Sequence, residues 1–77
     1  MSDRPVYLIL VCEGRRCVPI VDLKDVVTTE AEAVTFLRET ADRLRGMRVL
    51  GHAVLVEGQS ARRIASVRVG PVMRRTP

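Results

Sequence analysis

Val6–Leu23 reads VYLILVCEGRRCVPIVDL, and this stretch decides the fold. Two apolar runs, Val6 to Cys12 and Cys17 to Leu23, flank a short connection that contains Gly14. That is the pattern of a β-hairpin. Gly14-Arg15 as a two-residue type II′ turn closes on Glu13 and Arg16, whereas a four-residue loop closes on Cys12 and Cys17. Both loops give one register, with Cys12 opposite Cys17, Val11 opposite Val18, Leu10 opposite Pro19 and Ile9 opposite Ile20.

In that register Leu10 and Pro19 fall at a non-hydrogen-bonded pair, so the missing N–H of Pro19 points away from the first strand. Proline is tolerated there only where nothing pairs on the outer side. The second strand is therefore expected at a sheet edge and the first in the interior.

Downstream of the hairpin, Thr29 to Glu32 has the form of a capping box, with Thr29 as N-cap and Glu32 reaching back. Ala33, Val34, Phe36, Leu37, Thr40, Ala41 and Leu44 then recur at spacings of three and four, which marks the buried face of one helix. Arg38 with Asp42 and Glu39 with Arg43 are i,i+4 pairs on its outer side, each contributing a few tenths of a kcal/mol. Gly46 stands where a C′ glycine belongs, and Arg43 and Arg45 suit the negative end of the helix dipole. Val49 to Glu57 reads as a third strand and Ile64 to Val69 as a fourth, turned by Gly58-Gln59-Ser60. Gly70-Pro71 ends the regular structure, and 72–77 is expected to be a frayed tail.

The order is ββαββ, an α+β fold in one domain spanning 1–77. The expected four-stranded sheet is antiparallel in the order 2-1-3-4, with the helix on one face. The competing order 2-1-4-3 requires one parallel pair.

Seventy-seven residues, 47% hydrophobic and 29% charged, are globular rather than disordered in composition. A chain of this size buries only roughly 60% of the surface its unfolded form exposes, so its core is marginal without a disulfide, a metal or a second subunit. One Tyr, one Phe and no Trp leave almost no large aromatic anchors. The net charge of +4 comes from an excess of arginine, with Lys24 the single lysine. The longest apolar run is too short for a membrane span of about 20 residues, and it leads into Glu13-Gly14-Arg15-Arg16 without a cleavage signal. A cytoplasmic protein with reduced cysteines is the expectation, with no membrane partner.

One helix covers one face of such a sheet, and the other face of an antiparallel sheet is ordinarily polar. The first hairpin departs from this. One of its faces carries Leu8, Leu10, Val21 and Leu23 with both cysteines, and the other carries Tyr7, Ile9, Val11, Val18 and Ile20. The latter set is taken as the candidate interface, since an uncovered apolar patch of this size marks an interaction surface. A homodimer is the expected use of it.

Cys12 and Cys17 face each other within disulfide range and form a candidate thiol pair, although two small reduced core residues are the plainer expectation. His52 is the only histidine, so Cys-x4-Cys with one His is an incomplete zinc set. No metal or other cofactor is expected. Nucleotide-binding glycine motifs and triad patterns are missing as well, and Asp22, Asp25, Glu30 and Glu32 are explained by the helix dipole. The chain does not read as an enzyme.

Mapped on the proposed topology, Arg15, Arg16, Arg43, Arg45, Arg48, Arg74 and Arg75 gather at the end that holds the hairpin tip and the helix C-terminus. They form a candidate anion-binding end for nucleic acid backbone or an acidic protein surface. The scarcity of aromatic residues removes the stacking platforms of single-strand binders, and one helix excludes a helix-turn-helix. The expected function is a small homodimeric binding or regulatory protein that engages an anionic partner through this end. The alternative is a protein-interaction module that uses the uncovered sheet face, with its charge incidental.

Overall fold

A computed structural model describes residues 6–70 of the chain. Five elements follow one another: β1 (Tyr7–Glu13), β2 (Arg16–Asp22), α1 (Glu30–Gly46), β3 (His52–Glu57) and β4 (Arg62–Arg68). The four strands form one antiparallel sheet in the order β2-β1-β3-β4. Pro19 lies on an edge strand, as its missing donor requires.

The first turn is the two-residue form. Gly14 has φ +65° and Arg15 does not share the positive sign, which agrees with type II′ over type I′. From there Glu13 pairs with Arg16, Cys12 with Cys17, Val11 with Val18 and Leu10 with Pro19. The register then slips. Ile9 pairs with Val21 rather than with Ile20, because a β-bulge inserts Ile20 as an extra residue.

This slip decides which side chains are buried. Had pairing continued in step, Val21 would have stood with Leu8 and Leu10. After the bulge, Val21 packs with Ile9 against the core. A second bulge lies in β4 between the pairs Leu55–Ala65 and Val56–Arg63, and both Ile64 and Ala65 pack against the core.

α1 begins as expected. Thr29 is the N-cap, its hydroxyl accepts from the Glu32 N–H at 3.2 Å, and the Glu32 carboxylate accepts from the Thr29 N–H at 3.3 Å. The helix buries Ala33, Leu37, Thr40 and Ala41, with Val34, Phe36 and Leu44 half-buried beside them.

Its C-terminus corrects the sequence reading, because Gly46 is the last helical residue and Met47 the C-cap. The left-handed C′ position belongs to Arg48, at φ +59°. The Val49 N–H donates to Leu44 O and the Arg48 N–H to Arg45 O, both at 3.1 Å. These are the two bonds of a Schellman motif. Capping consumes the Val49 donor, and Gly51 follows at φ +102°, so β3 starts at His52 rather than at Val49. The backbone of Gly51 lies against β1 so closely that a Cβ there would meet the Cys12 carbonyl oxygen.

α1 packs on β3 and β4. The core lies between the helix and one face of the sheet, and its largest fully buried side chains are Ile9, Leu23, Leu37 and Leu55. Truncating one of these to Ala costs about 2–5 kcal/mol, a large share of the roughly 5–10 kcal/mol that holds a domain of this size.

Candidate functional site

The helix covers the face of β1 that carries Tyr7 and Ile9. Tyr7 is buried and Ile9 is fully enclosed, so these two belong to the core and are removed from the expected interface. The reason is the register of β3, which sets Leu55 opposite Ile9 and Ala53 opposite Val11 on the helix side. The open face of the sheet is the other one. It carries Leu8, Leu10, Val54 and Val56 with the cysteines, Pro19, His52, Arg63, Ser66 and Arg68, as the pairings require. Most of the β-strand apolar side chains there are only half-buried, and Val54, flanked by Leu10 and Ser66, is covered by its neighbours.

Val11, Val18 and Ile20 remain accessible on the helix side. Val18 is 57% exposed and Ile20 43% exposed, because α1 stops short of β2. The three line one groove of about 370 Å³, together with Leu44 from the last turn of α1, Val49 from the Schellman cap, and Glu13 and Arg16 at the rim. The sequence reading missed Leu44 and Val49 as members of this surface. Their signal was the capping contact between C3 and C″, which cannot be placed until the C′ residue is known to be Arg48.

Both sheet edges carry devices that discourage strand addition. On β2, Pro19 offers no outward N–H and the Ile20 bulge interrupts the ladder. On β4, a bulge is combined with exposed Arg62, Arg63 and Arg68. Bulges, proline and charge on an edge are the usual protection against edge-to-edge pairing. The apolar surface of this molecule is therefore offered by faces and not by edges.

Cys12 and Cys17, expected as reduced thiols, are joined by a disulfide. The non-hydrogen-bonded pairing of their strands brings the Cα atoms to 4.0 Å. His52, the first residue of β3, pairs with Cys12 of β1 on one side and with Arg68 of β4 on the other.

Of the seven arginines assigned to the basic end, five lie among the described residues. Arg15 and Arg16 are at the hairpin tip, Arg43 and Arg45 in the last turns of α1, and Arg48 follows it; all five are exposed. Arg74 and Arg75 lie outside the described residues, as does the expected tail. Arg45 has a structural task. It pairs with Asp42 and donates from Nη2 to the Arg68 carbonyl at 2.8 Å, tying the helix end to β4. Among the described residues Asp42 pairs with Arg45 rather than with Arg38, and Glu39 makes no ion pair with Arg43.

At the opposite end, Glu57 organises the second hairpin. Its carboxylate accepts from Ser60 N–H and Oγ–H, both at 2.8 Å, from Gln59 N–H at 3.2 Å and from Val6 N–H at 3.3 Å. These bonds, the Ser60 N–H foremost, lower its pKa to about 2. Glu32 is lowered in the same manner, chiefly by the Thr28 N–H. Both carboxylates are occupied with turn and cap bonds, which assigns them to the scaffold.

Compared with known protein families, with curated proteins and with solved structures, the chain matches none.

Proposed function

We propose that this chain is a non-enzymatic binding protein that docks an acidic protein surface, using the apolar flank of its first hairpin with the neighbouring arginines. The observation that carries this reading is β2. Six of its seven residues are exposed, and two of those, Val18 and Ile20, are large aliphatic side chains on one face, which with Val26 and Met47 are the exposed large hydrophobics among the described residues. A patch of that kind beside cationic groups favours a partner that is apolar in the middle and acidic at the rim. A homodimer remains part of the proposal, through the open face of the sheet and not through the protected edges.

The test has two arms. Binding to poly-L-glutamate is expected to weaken as salt rises and to be lost when Arg15, Arg16, Arg43 and Arg48 become Ala; binding indifferent to those changes overturns the acidic partner. Light scattering is expected to give a dimer mass that Leu10→Asp reduces to a monomer. A monomer at every concentration removes the homodimer.

A second reading has nucleic acid backbone as the anion, favoured by the gathering of Arg15, Arg16, Arg43 and Arg48 at one end. Four phosphate contacts would give a log K against log salt slope of about −4. Duplex DNA bound tenfold more tightly than poly-L-glutamate, with that slope, would establish this reading in place of the first.

A further inference from the structure

We infer that the groove between β2 and the C-terminal turn of α1 is a seat for one amphipathic helix of a partner protein, acidic on the side that meets the arginines. The inference rests on the protein-binding reading above and names its ligand.

Width is the first argument. Strands in a sheet lie about 4.8 Å apart, and a helix with its side chains is about 10–12 Å across. One helix therefore covers about two strands. α1 lies over β3 and β4, and the core beneath it encloses Tyr7 and Ile9 of β1, so the space left on the same face lies over β2 and the hairpin-tip half of β1. Val11, Val18 and Ile20 form its floor, and Leu44 and Val49 form the wall it shares with α1.

The second argument excludes an added strand as occupant. Pro19 and the Ile20 bulge remove the regular donor and acceptor row that a strand would need on β2. A helix satisfies its own backbone and asks only for apolar side-chain contact and end charges.

Charge is the third. Arg16 stands at the groove rim with Glu13. Arg15 adjoins it, and Arg43 and Arg48 flank the Leu44 and Val49 wall in sequence, on the C-terminal end of α1. Asp42 in the same region is already held by Arg45. The surplus is positive, which selects an acidic helix over a basic one.

The experiment is a selection of 16-residue peptides from a random display library on the full chain, with counter-selection on the Ile20→Asp variant. Circular dichroism and a parallel Val18→Asp counter-selection guard against a variant that simply unfolds. Enriched peptides are expected to carry apolar residues at i, i+3, i+4 and i+7 with an excess of Asp and Glu. A synthetic copy should shift the methyl resonances of Val18, Ile20 and Leu44. Its affinity should fall at least tenfold with Ile20→Asp and at least fivefold with Arg16→Ala plus Arg48→Gly. Enrichment of alternating strand-like peptides, of basic peptides, or of peptides that shift Leu8 and Leu10 instead overturns the helix seat while leaving a binding protein. No enrichment over the counter-selection overturns the helix seat, and no binding to poly-L-glutamate or duplex DNA overturns the binding reading itself.

Discussion

Ile9 pairs with Val21 across β1 and β2, one residue out of step with the Leu10–Pro19 pair beside it. The bulge turns Val21 toward the core and leaves Ile20 on the same side of the sheet but over the groove. The two neighbours should therefore respond differently to charge. Val21→Asp is expected to destabilise by about 1–3 kcal/mol, since it places a carboxylate against apolar neighbours. Ile20→Asp is expected to stay within about 1 kcal/mol of the parent. Urea denaturation of both variants checks this, and equal losses would contradict the bulged register.

The helix end carries two residues in each other's natural place. Arg48 occupies the left-handed position, where a non-glycine residue is held at a cost of roughly 1–2 kcal/mol, partly offset by its lower unfolded-state entropy. Gly46 sits inside the helix with open space where a Cβ would go. Arg48→Gly and Gly46→Ala are each expected to stabilise by about 0.5–1 kcal/mol, additively or nearly so in thermal melts. A loss of stability in Arg48→Gly would refute the Schellman cap at this position.

Acid sensitivity should trace to Glu57. Its folded pKa is lowered to about 2 from 4.5, so its contribution to stability is complete above about pH 4.5 and is lost as pH falls through about 2. An NMR titration of the Glu57 carboxyl carbon should show a midpoint near 2. Glu57→Gln should flatten the stability profile between those limits and weaken the Gly58–Ala61 turn. A midpoint near 4.5 would mean that the four hydrogen bonds do not hold in solution.

The Cys12–Cys17 bond closes a short loop, and loop-closure entropy for six residues amounts to about 2 kcal/mol. Reduction is expected to lower stability by no more than that and to leave the sheet intact, because Cys12 is also paired with His52 in β3. Denaturation with and without dithiothreitol measures the difference. Unfolding on reduction would show that the bond, and not the core around Ile9 and Leu55, holds the first hairpin.

Much of the fold was legible in local patterns. Thr29 and Glu32 announced the helix start, the three-and-four spacing announced its buried face, and Pro19 announced an edge strand. Each depends on chemistry within a few residues or on one missing N–H. The candidate site was less legible. Tyr7 and Ile9 looked as exposed as Val18 and Ile20, because an apolar strand does not say which of its faces a distant helix will choose.

By itself, then, the amino-acid sequence determined five elements, their order and the hairpin register from Glu13 to Leu10 shared by both loop forms, and it favoured the antiparallel arrangement 2-1-3-4. Tertiary structure decided the rest. The two-residue turn, the bulge at Ile20, the left-handed Arg48 and the disulfide are settled by the backbone path the folded chain takes, and the placement of α1 over β3 and β4 by packing between elements far apart in the chain. A slip of one residue in a strand transfers every following side chain to the other face. The groove over β2 is what that slip and a helix two strands wide leave uncovered.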